Sequence, residues 1–204
     1  MEEDEFIRHW EYFCSIARRL EETAEYVYHG SDGKNLIHED VYSDAFKQIL
    51  LLAGAEFESM AKKLCALSGF DTKKIRNINK ISRIVLEKYP KIVETRIYTK
   101  YWGNTPLNDW RINQDKDNQV EGLEWWKAYT DIKHDHVDAY KKGTLNNAVS
   151  AVSSLYVINL YVMKVASGNL RVAREFPAPY FRCEYTSTYY VSEEKELPGL
   201  AEKI

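Results

Sequence analysis

Ala148-Val149-Ser150-Ala151-Val152-Ser153-Ser154-Leu155-Tyr156-Val157-Ile158-Asn159-Leu160-Tyr161-Val162 contains no charged residue, and Lys164 ends the run. A membrane helix needs about 20 consecutive apolar residues; this run is shorter, and Ser150, Ser153, Ser154 and Asn159 interrupt it. The stretch therefore predicts a helix buried in a protein core, with no membrane span. A helix buried on every side needs amphipathic partners to enclose it.

Those partners are legible upstream. Phe6, Trp10, Phe13, Ala17, Leu20, Ala24 and Val27 recur at four- and three-residue steps, which predicts an amphipathic helix over residues 3–28. Gly30-Ser31-Asp32-Gly33 breaks it. A second helix is expected from about Val41 to Ser68, with Tyr42, Phe46, Ile49, Ala53, Phe57, Met60 and Leu64 on one side and Gly69 as its stop. Asp71 or Thr72 can cap a third helix through Tyr89, which Pro90 follows. Helical period is lost between residues 93 and 120. There Thr95 to Trp102 has strand composition, and Gly103-Asn104-Thr105-Pro106 reads as a turn, so a small hairpin or an ordered loop is expected. A fourth helix is expected from Leu123 to about Tyr140, and Thr144 can cap the apolar helix. The tail from Pro177 is rich in Tyr and Thr between Tyr185 and Val191, which suits one strand or hairpin. The expected fold class is all-α: a bundle of about five helices with a small β-hairpin insertion and a C-terminal strand. With 204 residues and no clear linker, one domain is expected, its core over 3–166 and a C-terminal extension over 167–204.

Composition narrows the function classes. Lys and Arg number 28 against 31 Asp and Glu, a net charge of -3, which argues against a whole surface built to grip nucleic acid. Cys14, Cys65 and Cys183 are few and widely spaced, as expected of reduced thiols in a cytoplasmic protein. The acidic start Glu2-Glu3-Asp4-Glu5 does not read as a signal peptide. There is no glycine-rich phosphate loop, no Cys-x-x-Cys pair and no Gly-x-Ser-x-Gly elbow, and no cofactor is expected.

The candidate site is Trp125-Trp126-Lys127-Ala128-Tyr129-Thr130-Asp131-Ile132-Lys133-His134-Asp135-His136. Drawn as one helix, it places Trp125, Tyr129, Ile132 and His136 on the apolar face, with Lys127, Asp131, His134 and Asp138 opposite. A buried His136 with Lys133 one turn earlier asks for an acid, and Glu56, at the margin of the second helix's apolar arc, is the nominee, ahead of Glu58. Such a Lys-His-Glu cluster can hold an anion or move a proton. The same residues also read as a core histidine satisfied by a carboxylate, with Lys133 extending to solvent. Asp131, His134 and Asp138 share a face, but no second His or Cys cluster completes a metal site, so a solvated charged face is expected. Trp125 and Trp126 with Tyr129 can stack a nucleobase or simply join the core.

These motifs bear a resemblance. The Trp-Trp-x-x-Tyr helix carrying Lys133-His134, followed by a long apolar helix and preceded by one with Glu58 and Lys62, resembles the HEPN superfamily. It is most similar to uncharacterised bacterial members with a Lys-His-x-Arg signature. The resemblance implies a dimerising helical bundle, in many members a metal-independent ribonuclease of defence systems, in others an inactive partner or a nucleotide-binding module. Active members use an Arg four to six residues before a His. No arginine here has that spacing; Lys127 and His134 come nearest, and His136 stands where the related signature has Arg. The resemblance thus implies a homodimer that binds RNA or a nucleotide, with His134, His136 and Lys133 as the catalytic set and Tyr129, Trp126, Glu56 and Lys127 around the ligand. The alternative is a non-catalytic module that docks a protein partner.

Overall fold

A computed structural model describes residues 3–33, 35–75, 77–113, 115, 119–134, 136–183, 185–186 and 197–200. Six helices form among them: α1 (Glu3–Glu22), α2 (Asp44–Leu67), α3 (Ile78–Lys88), α4 (Glu124–Lys133), α5 (Leu145–Ser167) and the short α6 (Arg171–Glu175). The strands are short: β1 (Ile97–Thr99), β2 (Gly103–Asn104), β3 (Arg111–Asn113), β4 (Gln119–Glu121) and β5 (Phe181–Arg182). The fold is mostly helical with small β additions, as the sequence predicts.

The uncharged run forms the centre of the bundle. From Leu145 to Met163 nearly every side chain of α5 is buried. By length and composition α5 could cross a membrane, yet most of its apolar window is enclosed by the protein itself. Thr144 caps it as expected, accepting from Asn147 N, and Gly168 ends it at φ 76. Along α2, buried Phe46, Ile49, Leu50, Ala53, Phe57, Met60 and Leu64 cover one side of α5. α1 covers another, and Phe13 stacks on Tyr156, which stacks on Phe181 of β5.

The chain's C-terminal part is built into this core. Trp10 of α1 donates its indole N–H to the carbonyl of Phe176, and Tyr161 of α5 donates its hydroxyl to the carbonyl of Pro198. Leu197 and Cys183 are buried. Of the expected Tyr-rich strand, residues 187–191 lie outside the described residues; the strand that forms, β5, lies just before it and pairs antiparallel with β1. β1 also pairs with β2, so Gly103-Asn104 is strand rather than the expected turn. The turn falls at 100–102, where Thr99 Oγ1 receives the backbone N–H groups of Tyr101 and Trp102. A second hairpin pairs β3 with β4.

Two helices depart from their expected bounds. The third starts at Ile78, capped by Asn77, because Asp71 caps only a single turn over Thr72–Lys74. The fourth ends at Lys133 instead of Tyr140. Beyond it stand His134, Asp135, His136, Val137 and Asp138, all weak helix formers, and several have side chains that compete for backbone groups. His136 N reaches the carbonyl of Asp131, and Asp138 turns the chain at φ 59.

α4 is seated on α2 by a close approach. A Cβ added to Gly54 would lie 2.5 Å from the ring of Tyr129, so glycine is the residue that lets Tyr129 lie flat on α2. Trp125 meets Phe57 edge-on at 5.0 Å. Gly54→Ala is expected to lower unfolding stability by about 1–3 kcal/mol, because the buried ring must move to admit the methyl group. A urea melt with an unchanged midpoint would show that the ring moves aside at no cost.

Candidate functional site

The end of α4 at Lys133 redistributes the expected site. His134 becomes the residue that closes the helix, and His136 sits in the following loop with its side chain 59% exposed. The expectation that His136 points into the aromatic face is therefore corrected: the helix that would carry it there stops three residues earlier. The expected Lys133-His136-Glu56 cluster does not form. Glu56 is buried at 8% exposure and bonds His9 Nδ1 of α1 at 2.6 Å. The acid nominated from α2 does answer a histidine, but one from the helix packed beside it. His9 was legible in principle, since it lies one turn after Phe6 on the margin of the α1 stripe.

The loop after α4 makes its own cluster. The Asp131 carboxylate accepts from His136 Nδ1 at 3.1 Å and pairs with Lys142. The Lys142 contact, then the charges of Lys142 and His136, hold the Asp131 carboxyl below the usual carboxylate range. With Nδ1–H committed to Asp131, a neutral His136 carries its basic lone pair on Nε2. The ring of His134 lies 6.2 Å from that of His136, centre to centre. Lys141 pairs with Asp138 at 3.1 Å. Lys133 lies over the ring of Tyr129, and contact with Tyr129, with the charge of Glu58 behind it, raises its pKa. Asp135 lies outside the described residues.

The remaining expected ligand contacts divide by burial. Lys127 is exposed on α4. Trp126 is half-buried, its ring 6.1 Å from that of Phe57 and 5.0 Å from that of Tyr129. Tyr129 is buried against Gly54, so it is a core residue rather than an open stacking platform. Asp131, His134 and Asp138 do not assemble as metal ligands, and among the described residues no group of three or more His, Cys, Asp or Glu is placed to hold a metal ion.

A different histidine is the fully buried one. His29, which the sequence reading did not single out, has Nδ1 2.8 Å from the Tyr180 hydroxyl and Nε2 3.1 Å from Thr23 Oγ1. Thr23 donates its own proton to the carbonyl of Leu20, so its oxygen accepts from His29 Nε2–H, and Nδ1 accepts from Tyr180. Both ring nitrogens are satisfied in one neutral tautomer. Burial pulls the pKa of His29 down to about 4. Tyr180 holds its hydroxyl there from an unusual backbone position, φ 67.

A cavity of about 880 Å³ lies away from the histidine loop, lined by the first turn of α4, the start of α5 and the β2–β3 connection. Its lining includes Trp102, Asn104, Asp109, Glu124 and Trp125. Gly122 at φ 80 completes its wall, where a Cβ would run into the backbone carbonyl of Asp109. Of these residues only Trp125 belongs to the stretch singled out from the sequence, because the lining comes from three separate segments joined only by folding.

Comparison with protein-family models, with curated proteins and with solved structures finds no match to this chain.

His29 makes stability depend on pH. The unfolded chain takes up its proton near 6.5 and the folded chain only near 4, so the unfolded state binds more protons between them. Stability from this group is complete above about pH 6.5 and falls by about 3 kcal/mol as pH drops to 4. Urea unfolding across that window should show a shallower loss for His29→Gln than for the parent chain. Equal slopes would mean that His29 protonates without disturbing its site.

Proposed function

We propose that this chain is a HEPN-like, cytoplasmic helical domain that engages RNA or a nucleotide as a homodimer, through the loop that follows α4. One observation carries the reading. Asp131 orients His136 while the ring of His134 lies 6.2 Å from it, centre to centre, and Lys133, Lys141 and Lys142 flank them on an exposed segment. A carboxylate-oriented imidazole is a competent general base, and a second imidazole beside it can serve as the acid. On an RNA strand, His136 Nε2 would take the 2′-OH proton and the 2′ oxygen would attack phosphorus. His134 would protonate the departing 5′ oxygen and Lys133 would face the phosphorane charge, so that products are a 2′,3′-cyclic phosphate and a 5′-hydroxyl. No metal enters this scheme. Three free cysteines agree with a reducing compartment.

A second reading rests on the same region. Val137 is 94% exposed, and exposed Tyr42 and Tyr140 meet edge-on at 6.0 Å beside it. A non-catalytic module that docks a protein partner would use such a surface.

Incubation with structured and single-stranded RNA in EDTA separates the two. The ribonuclease reading expects cleavage that falls at least about 100-fold in His134→Ala and His136→Ala, the usual contribution of a general acid or base. Because both side chains are exposed, neither change should alter the unfolding free energy by more than about 0.5 kcal/mol. Absence of both cleavage and RNA binding in the parent chain would leave the docking reading in place.

A further inference from the structure

Five buried side-chain polar atoms have no hydrogen-bond partner among the described residues, and three of them belong to residues lining the one cavity beside α4. They are Trp102 Nε1, Asn104 Oδ1 and Trp125 Nε1. Buried polar groups are nearly always paired, and an unpaired one costs about 1–3 kcal/mol. Two other indole nitrogens follow that rule: Trp10 donates to Phe176, and Trp110 donates to Ser82 at 3.0 Å. The remaining two unpaired atoms, Ser153 Oγ and Asn159 Oδ1, belong to α5, whereas both unpaired indoles belong to the lining of one cavity of about 880 Å³, within the range of about 300–1,000 Å³ usual for small-molecule sites.

The chemistry of the lining selects the ligand. Two indole N–H groups require acceptors, and the Asn104 carbonyl requires a donor. Around them stand Asp109, Glu124 and the paired Arg111 and Glu121, a net charge of -2 for these four side chains, which disfavours phosphate and other anions. A simple ammonium ion would suit the carboxylates but brings only donors, leaving the indoles unanswered. A hydroxyl both donates and accepts, so a neutral molecule with several hydroxyls answers all three atoms at once. Asn146 and Asn147, at the start of α5, add amide groups of the same mixed kind.

We propose that this cavity is a binding site for a neutral polyhydroxylated ligand of the carbohydrate class, read by the indole N–H groups of Trp102 and Trp125 and the side-chain carbonyl of Asn104. It is separate from the histidine loop and does not depend on the RNA reading.

The chain has five tryptophans, so an amide-type ¹⁵N correlation spectrum resolves each indole N–H, assigned by single Trp→Phe variants. The probes are maltose, cellobiose, N,N′-diacetylchitobiose, lactose and myo-inositol, each to tens of millimolar, with AMP and spermidine as charged comparators. At least one neutral probe is expected to shift the Trp102 and Trp125 signals saturably, while those of Trp10 and Trp110 stay fixed. Asn104→Leu is expected to weaken that response at least tenfold with the Trp10 and Trp110 signals unmoved, which separates lost binding from lost folding. No saturable shift from any neutral probe overturns the proposal, and so does a response to AMP or spermidine alone. Uniform movement of every indole signal, a solvent effect, overturns it as well.

Discussion

An uncharged helix surrounded on all sides is the constraint from which this fold follows. α5 presents apolar side chains around most of its circumference, so no single partner can cover it. α2 takes the broadest contact, α1 adds an aromatic stack, α4 closes a further side, and the segment around Phe181 covers what the helices leave. Each partner has one apolar stripe and one solvated face, which is the usual arrangement when one helix forms a core and its neighbours form the coat. Within α5, the Ser154 hydroxyl and the Asn159 amide N–H return hydrogen bonds to carbonyls one turn earlier, while Ser153 Oγ and Asn159 Oδ1 have no partner among the described residues.

The histidines show how one residue type is put to different uses. His29 is sealed, neutral and fully bonded, a piece of core that happens to be polar. His9 meets Glu56 between α1 and α2, tying two helices whose apolar stripes already pack. His134 and His136 sit where the helix fails, and their exposure leaves them to solvent and to any partner. Exposed His38 stands apart from them, whereas His134 and His136 combine accessibility with a neighbouring imidazole and a carboxylate partner, which proton transfer to a ligand would use.

Two separate surfaces of the molecule carry chemistry, and they differ in character. The loop after α4 is a set of charges on open ground, with Asp131 and Asp138 each engaged by a cation. The cavity at the other end of α4 is built from uncharged donors and acceptors behind an acidic rim. On the readings proposed above, a phosphate-bearing molecule would be taken by the first and disfavoured by the second. The short α4 connects the two regions, and the close approach of Gly54 to Tyr129 seats it on α2.

Most of the helical fold was legible in the sequence, because burial imposes a period that side-chain type records directly. Phe6, Trp10, Phe13, Ala17 and Leu20 declare α1, and the uncharged run from Ala148 declares the central helix. Thr144 and the glycines mark ends because capping is local chemistry. The sequence nominated Glu56 as the acid facing His136 and Lys133. It did not show that His9 is the residue Glu56 meets, or that α4 stops before His136, since helix ends depend on competing local bonds that periodicity does not record. The cavity was invisible for a stronger reason. Trp102, Asn104 and Trp125 become neighbours only when the β2 edge and the start of α4 are brought to the same side of α5, and a contact between distant segments has no signature in either segment alone.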